Sequence, residues 1–302
     1  MVDQPEFDRQ TPEAGKLERL SPLVSRLIAP NGGPFTFTGT CTYIVGDRDR
    51  IVIDPGPDDA AHSDLILKSI GSDRLAAIFV THTHRDHSPL AARLKALTGA
   101  PIMGCGPHRA ARALSEGEIN PLDASSDHDY SPDRILDDGE IVRIGDLEFE
   151  TVATPGHTIN HLAFALREEK ALFSGDHVMG WSTSIVAPPD GAMQPYMKSL
   201  ERLIARDEQI YYPGHGEAVK APGRFVPQLL AHRRLRETSI LEAVREGVET
   251  IPELVTKLYR GLDPRLHGAA ALSVFAHLED LVSRDMVRAD QPLSLNAHFY
   301  PR

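Results

Sequence analysis

The chain has 302 residues, 32 basic and 43 acidic side chains, a net charge of −11 with histidine neutral, and 41% hydrophobic residues, a balance that suits one large globular domain plus a small one. No apolar run reaches the roughly 20 residues of a membrane helix, and the first twenty positions carry charges and prolines where a secretory signal needs an apolar core. Two cysteines, Cys41 and Cys105, cannot build a disulfide framework, so the expectation is a cytoplasmic protein with no membrane partner, whose acidic body disfavours indiscriminate nucleic-acid binding.

In chain order, residues 1–22 look like a polar arm. Short apolar runs at 42–45, 51–53, 78–80, 101–103, 141–144 and 147–152 predict strands. Between them, 59–70 predicts a helix stopped by Gly71. A second helix starts at Ser88, the candidate N-cap, with Pro89 in its first turn, Leu90, Leu94 and Leu97 on one face, and Gly99 as C-cap. Residues 105–140 are rich in Pro, Asp, Ser and Gly without a period, which fits either a lid or a solvated loop, and His128 there has no evident partner. A second round follows, with strands at 162–166, 171–173 and 209–212 and a helix near 194–205. Beyond Pro222 the pattern is helical at 225–248, 251–259 and 270–284, with a short tail at 286–300 able to form a hairpin.

The chemistry concentrates at Thr81–Ser88, THTHRDHS, directly after an apolar strand. His82 and His84, two apart, project to one side if the extended backbone persists, and the following turn can swing Asp86 and His87 inward. One imidazole after a strand is ordinary; three imidazoles and a carboxylate in six positions exceed what packing asks for. Three further strand ends repeat the pattern: Pro155-Gly156-His157, Ser174-Gly175-Asp176 and Pro213-Gly214-His215-Gly216. Pro and Gly make tight turns that fix the next side chain on the rim of a sheet. A His/Asp set suits zinc best and also admits iron or manganese.

These residues carry a family resemblance. HxHxDH at His82–His87, the glycine-histidine turn at His157, SGD at Asp176 and PGHG at His215 resemble the metallo-beta-lactamase superfamily over about residues 23–220. The resemblance implies an αββα sandwich holding two divalent metal ions, most simply zinc: one at His82, His84 and His157, the other at Asp86, His87 and His215, with Asp176 bridging. It further implies hydrolysis by a metal-bridging hydroxide that Asp86 would orient, making Asp86 the catalytic candidate. Asp54 is expected to support the ligands or to cap a turn. His161 and His177 are expected beside the site or at the surface, His161 being nearer to it.

The relatives that hydrolyse beta-lactams with a cysteine ligand would need Cys where Asp176 stands. Those resembling glyoxalase II carry glycine-cysteine-glycine-arginine where this chain has His177-Val-Met-Gly180-Trp181. The three C-terminal helices and hairpin look like a winged helix. The order of a domain at 23–221 followed by a winged-helix-like unit at 222–302 resembles the beta-lactamase-like endoribonuclease group, which cuts single-stranded RNA; Cys41 stands where that group usually has Asn. Two expectations remain: a single-stranded RNA phosphodiesterase, or a hydrolase of thioesters, lactones or other small acyl compounds. The C-terminal helices are equally read as cover for the sandwich or as a homodimer contact, and Arg233, Arg234 and Arg236 as a solvated face or a phosphate track.

Overall fold

The computed structural model describes residues 5–115, 118–120 and 122–302. Residues 1–4 of the expected arm, and 116, 117 and 121 of the expected insertion, lie outside them. The first sheet has seven strands side by side in chain order: β1 (Glu18–Arg19), β2 (Val24–Ile28), β3 (Cys41–Val45), β4 (Asp49–Ile53), β5 (Arg74–Val80), β6 (Ile102–Gly104) and β7 (Arg134–Ile135). Pairings from β1 to β4 are antiparallel and those from β4 to β7 parallel. Parallel neighbours need crossovers, and helices α1 (Ala60–Ile70) and α2 (Leu90–Thr98) supply the first two.

The second sheet runs β12-β11-β10-β9-β8, from β8 (Ile141–Ile144), β9 (Leu147–Ala153), β10 (Leu162–Leu166), β11 (Ala171–Gly175) and β12 (Ile210–Pro213). Only β11 and β12 are parallel, joined through helix α3 (Met193–Ile204). Strand parity decides which face each side chain takes. In β10, Leu162, Phe164 and Leu166 enter the core between the sheets, whereas Ala163 and Ala165 face outward to α3. Aromatic rings join the sheets: Phe79 of β5 meets Phe149 of β9 edge-on at 5.2 Å, and Tyr43 of β3 meets Phe173 of β11 at 5.2 Å. With α1 and α2 on one side and α3 on the other, the layers are αββα.

The C-terminal segment forms α4 (Pro222–Arg245), α5 (Ile251–Leu258), α6 (His267–Ser283) and a two-stranded hairpin, β13 (Val287–Ala289) with β14 (Phe299–Pro301). Helix α4 belongs to two cores. Its first half (Phe225, Val226, Leu229, Leu230) packs with α3 on the second sheet, and its second half (Ile240, Leu241, Val244) packs with α5, α6 and the hairpin. Helix α5 has the expected capped start: the Thr250 backbone N–H and side-chain hydroxyl both donate to Glu253.

Four expectations need correction. Ser88 does not cap α2, because its hydroxyl donates to Asp127 (2.6 Å) and Pro89 takes the N-cap position. The polar arm is anchored: β1 pairs with β2, and Phe7 packs edge-on against Phe225 at 5.9 Å. The insertion is largely exposed, as a solvated loop is, but its described residues are tied down rather than free. Asp127 N–H donates to Thr83 O, Arg85 N–H to Ser125 O, and the Arg112 guanidinium reaches Glu279 on α6. His128 has a partner in Asp123 (3.1 Å).

Candidate metal centre

Seven side chains from both sheets converge where the strands end. His82, His84, Asp86 and His87 follow β5; His157 follows β9, Asp176 follows β11 and His215 follows β12. The ring nitrogens of His82 (Nε2) and His157 (Nε2) each lie 3.0 Å from His84 Nδ1. In the second trio His87 Nε2 is 3.4 Å from His215 Nε2, and Asp86 Oδ2 is 3.5 and 3.2 Å from those two atoms. Asp176 touches both groups, with Oδ2 3.6 Å from His157 Nε2 and 3.4 Å from His215 Nε2, and Oδ1 3.5 Å from His87 Nε2.

The outer nitrogens decide what faces inward. His87 Nδ1 donates to Asp54 (3.0 Å), His157 Nδ1 to the Ile185 carbonyl (2.6 Å) and His215 Nδ1 to the Gly39 carbonyl (3.2 Å). The Thr81 hydroxyl gives its proton to Asp54 (2.7 Å), so it accepts from His82 Nδ1 at 3.0 Å. Four imidazoles therefore turn Nε2 inward, the edge with which metal-ligating histidines meet their ion. Lone pairs 3.0 Å apart repel unless a cation sits among them. Ligand atoms at roughly 2.0–2.1 Å from a tetrahedral zinc stand about 3.3 Å from one another. The observed spacings match that edge length, and the donor set fits two divalent ions.

The electrostatics differ between the trios. Burial and the neighbouring imidazole of His157 push His84 down to about 3, and burial with His87 and His84 pushes His82 well down. Burial alone would lower His87 too, but the carboxylates of Asp86, Asp176 and Asp54 outweigh it and raise it to about 10. His215 is raised likewise by Asp176 and Asp86 against its burial. His82 and His84 thus stay neutral, and the second trio holds the carboxylate of Asp86.

Glycine makes room for this convergence. A Cβ on Gly214 would stand 2.3 Å from Asp176 Oδ1 and 2.6 Å from His87. Gly175 has φ +49°, and a Cβ there would meet His161 Nε2 at 2.6 Å. The turn carrying His215 is clamped by the other sheet. Cys41 N–H donates to the Gly214 carbonyl, Tyr43 Oη to the Pro213 carbonyl (2.7 Å), and the buried Arg26 guanidinium to the Gly216 carbonyl (3.0 Å).

The remaining three candidates do not join the ligands. Asp54 is not a cap; its carboxylate accepts from Thr81 N–H and Oγ and from His87. His161 lies beneath the site, its Nε2 accepting from Asp176 N–H (3.1 Å) and its Nδ1 donating to Thr154 Oγ (2.8 Å). His177 is buried rather than at the surface, its ring packed on Tyr196 with centroids 4.5 Å apart. Sequence reasoning passed over Thr81, Asp127, Asn160 and Asp190. Asn160 donates to Thr83 Oγ (3.1 Å) and the Gly106 carbonyl (2.9 Å), and Asp190 accepts from Asn120 (3.0 Å). Only Thr81, adjoining the motif, had a sequence signal.

The sequence profile of the metallo-beta-lactamase superfamily matches residues 35–215. The chain belongs to that superfamily. The metallo-beta-lactamase domain is followed by a match to the beta-lactamase-associated winged helix domain at 250–292. Over 237 residues the chain is 35% identical to an atrochrysone carboxyl ACP thioesterase from Paecilomyces divaricatus, covering 77% of this chain and 68% of that protein. It is 30% identical over 250 residues to a beta-lactamase-like protein 2 homolog from Caenorhabditis elegans, covering 80% and 78%. A beta-lactamase domain protein from Burkholderia ambifaria superposes with a TM-score of 0.80 at 21% identity over 99% of this chain and 97% of its own, a likeness of fold. The chain is a hydrolase of the metallo-beta-lactamase superfamily, a family that works with divalent metal ions.

Proposed function

We propose that the protein hydrolyses thioesters of apolar acyl groups with two zinc ions. One observation carries the choice of substrate. Between the metal centre and the C-terminal helices lies a cleft of about 280 Å³ walled by Phe7, Phe35, Met179, Trp181, Tyr259 and Leu262. Its floor at 181–185 is tied to the metal centre, because the Ile185 carbonyl accepts from His157. A mostly apolar cleft with a few polar groups suits a small acyl compound. Engagement within the chain counts against a continuous phosphate track along Arg233, Arg234 and Arg236, which the sequence leaves open beside a solvated face. Arg233 is buried over the Tyr196 ring and donates to the Ser184 carbonyl, Arg234 pairs with Glu201, and Arg236 stacks on Tyr259 and donates to the Leu258 carbonyl. The similarity to a protein named as an ACP thioesterase supports the same reading.

Two zinc ions would lower the pKa of a water toward neutrality and polarise the scissile carbonyl. The chain's own residues hold and orient. His161 fixes the Asp176 backbone, Asp54 and Thr81 fix the rings of His87 and His82, and Ile185 fixes His157. Asp86 is the most open of the seven, at 25% side-chain exposure against 9% or less for the others. One of its carboxylate oxygens faces His87 and His215, which leaves the second to take the proton of the attacking water and pass it to the departing thiolate.

The test is turnover of aromatic and aliphatic acyl thioesters beside cleavage of a labelled single-stranded RNA, with metal measured on the same preparation. We expect thioester hydrolysis, about two zinc per chain, and a loss of about 10²–10⁴-fold in kcat for Asp86→Asn, the usual range for a lost general base. RNA cleavage with inert thioesters would overturn the reading.

A further inference from the structure

The lining of the same cleft is basic although the chain as a whole is acidic. The chain carries 43 acidic against 32 basic residues, yet the residues lining this cleft include Arg9, Arg233, Arg236 and His232 and no carboxylate at all. Three of its polar atoms also lack partners among the described residues: Arg236 Nε, Trp181 Nε1 and His232 Nδ1 are buried and make no hydrogen bond. Two of them, on Arg and Trp, can only donate. A donor left without an acceptor is costly, so a ligand acceptor that reaches these groups as their side chains shift would be favoured. Arg9, which is exposed, adds a positive charge to the same lining.

We infer that this cleft binds an anionic group on an apolar body, so that the preferred thioesters carry a carboxylate or phosphate away from the scissile bond. The inference rests on the thioester reading and narrows it to a substrate class. The aromatic wall takes the body, while the Arg236 and Trp181 donors and the Arg9 charge take the oxyanion. Guanidinium groups suit this task because their charge is permanent and their planar N–H fork matches an oxyanion. The net negative charge of the chain disfavours anions over the surface on average, which raises the contrast with a basic cleft.

Binding can be tested apart from turnover. Trp181 is the chain's only tryptophan and lines the cleft, so its emission reports occupancy. The metal-loaded protein is titrated with 1-octanesulfonate, a poor metal ligand, and with neutral 1-octanol, by calorimetry and by Trp181 emission. The sulfonate should bind about ten-fold more tightly or better, the scale of one charge-assisted contact. Arg236→Gln and Arg9→Gln should each erode that preference and leave octanol binding unchanged; Arg9 is exposed, so its loss tests the inference even where Arg236→Gln disturbs the fold. Equal affinity for both probes, or a preference indifferent to both substitutions, overturns the inference. So does displacement of the sulfonate by a short single-stranded RNA, which would assign the cleft to nucleic acid.

Turnover then separates the sources of the anion. One substrate pairs a carboxylated acyl group with a neutral thiol, and another pairs a neutral acyl group with a phosphate-bearing pantetheine thiol. A lower KM for either one, lost in Arg9→Gln, supports the inference and names the side that carries the charge. Thioesters hydrolysed with the same KM whether charged or neutral refute it while leaving the hydrolase reading intact. Sulfonate binding without any thioester turnover would instead refute the thioester reading.

Discussion

Asp54 holds the left-handed backbone at φ +50° and feeds three hydrogen bonds into the motif that follows β5. Asn tolerates that backbone region and can keep an oxygen for Thr81. Asp54→Asn therefore isolates the loss of a charged partner for His87. The expected result is metal binding weakened about 10–100-fold with the fold retained, the usual cost of losing a ligand's outer partner; competition with a chromophoric chelator measures it. A second residue-scale effect concerns acid. His62 is buried beneath Gly56 with Nε2 3.0 Å from Thr42 Oγ, and burial, offset in part by Asp59, lowers it to about 4. The unfolded chain takes up that proton near pH 6.5 and the folded chain only near 4, so stability falls as pH drops through that window. In His62→Gln, urea midpoints measured at pH 7 and pH 5 should differ less than in wild type, by the slope of about one proton. An unchanged slope would mean that His62 protonates without unfolding cost.

At the scale of elements, rings fill the space between the sheets, while the hydrogen bonds that join them gather at the ligand rim. Phe79 is fully buried and touches Phe149 at 5.2 Å and Phe164 at 4.8 Å. Phe79→Ala should cost about 3–5 kcal/mol, read from urea unfolding, because a cavity opens at the centre of the sandwich. A loss below about 1 kcal/mol would show that the sheets close over it. Elements of this kind were legible in the sequence because their signals are local. Alternation in 162–166, Gly71 and Gly99 as helix stops, and Thr250 with Glu253 as a capped start all act within a few residues. The ligand turns were legible for the same reason, each being a short strand followed by Pro, Gly or Ser and then His or Asp. Residues 105–140 were opaque because their order comes from distant partners: Asp127 with Ser88, Asn120 with Asp190, Arg112 with Glu279. Burial of Arg233 was equally hidden, since a run of arginines on a helix looks solvated until another domain closes on it.

The whole molecule is stapled at its catalytic rim. His82, His84, Asp86 and His87 come from the first sheet and His157, Asp176 and His215 from the second, so each bound metal would join the two halves of the sandwich. The trios differ in which sheets they span by only one ligand, His157 in the first and His215 in the second, with Asp176 shared between them. A ligand that binds only the native state stabilises it by mass action, about 2.7 kcal/mol at a free concentration 100 times Kd. Stripping the metals with a chelator should therefore lower Tm, and restoring zinc should recover it in proportion to the logarithm of free zinc. The carboxylates sharpen the effect: without cations, Asp86 and Asp176 confront each other and are compensated only by protons on His87 and His215. His157→Ala and His215→Ala each remove one second-sheet ligand, and each should reduce the zinc-dependent rise in Tm. Because Gly214 admits no side chain against Asp176 and His87, Gly214→Ala should abolish the rise by displacing ligands while replacing none of them. Scanning calorimetry across a zinc series decides it, and a Tm indifferent to zinc in the wild type would mean that the rim does not join the sheets.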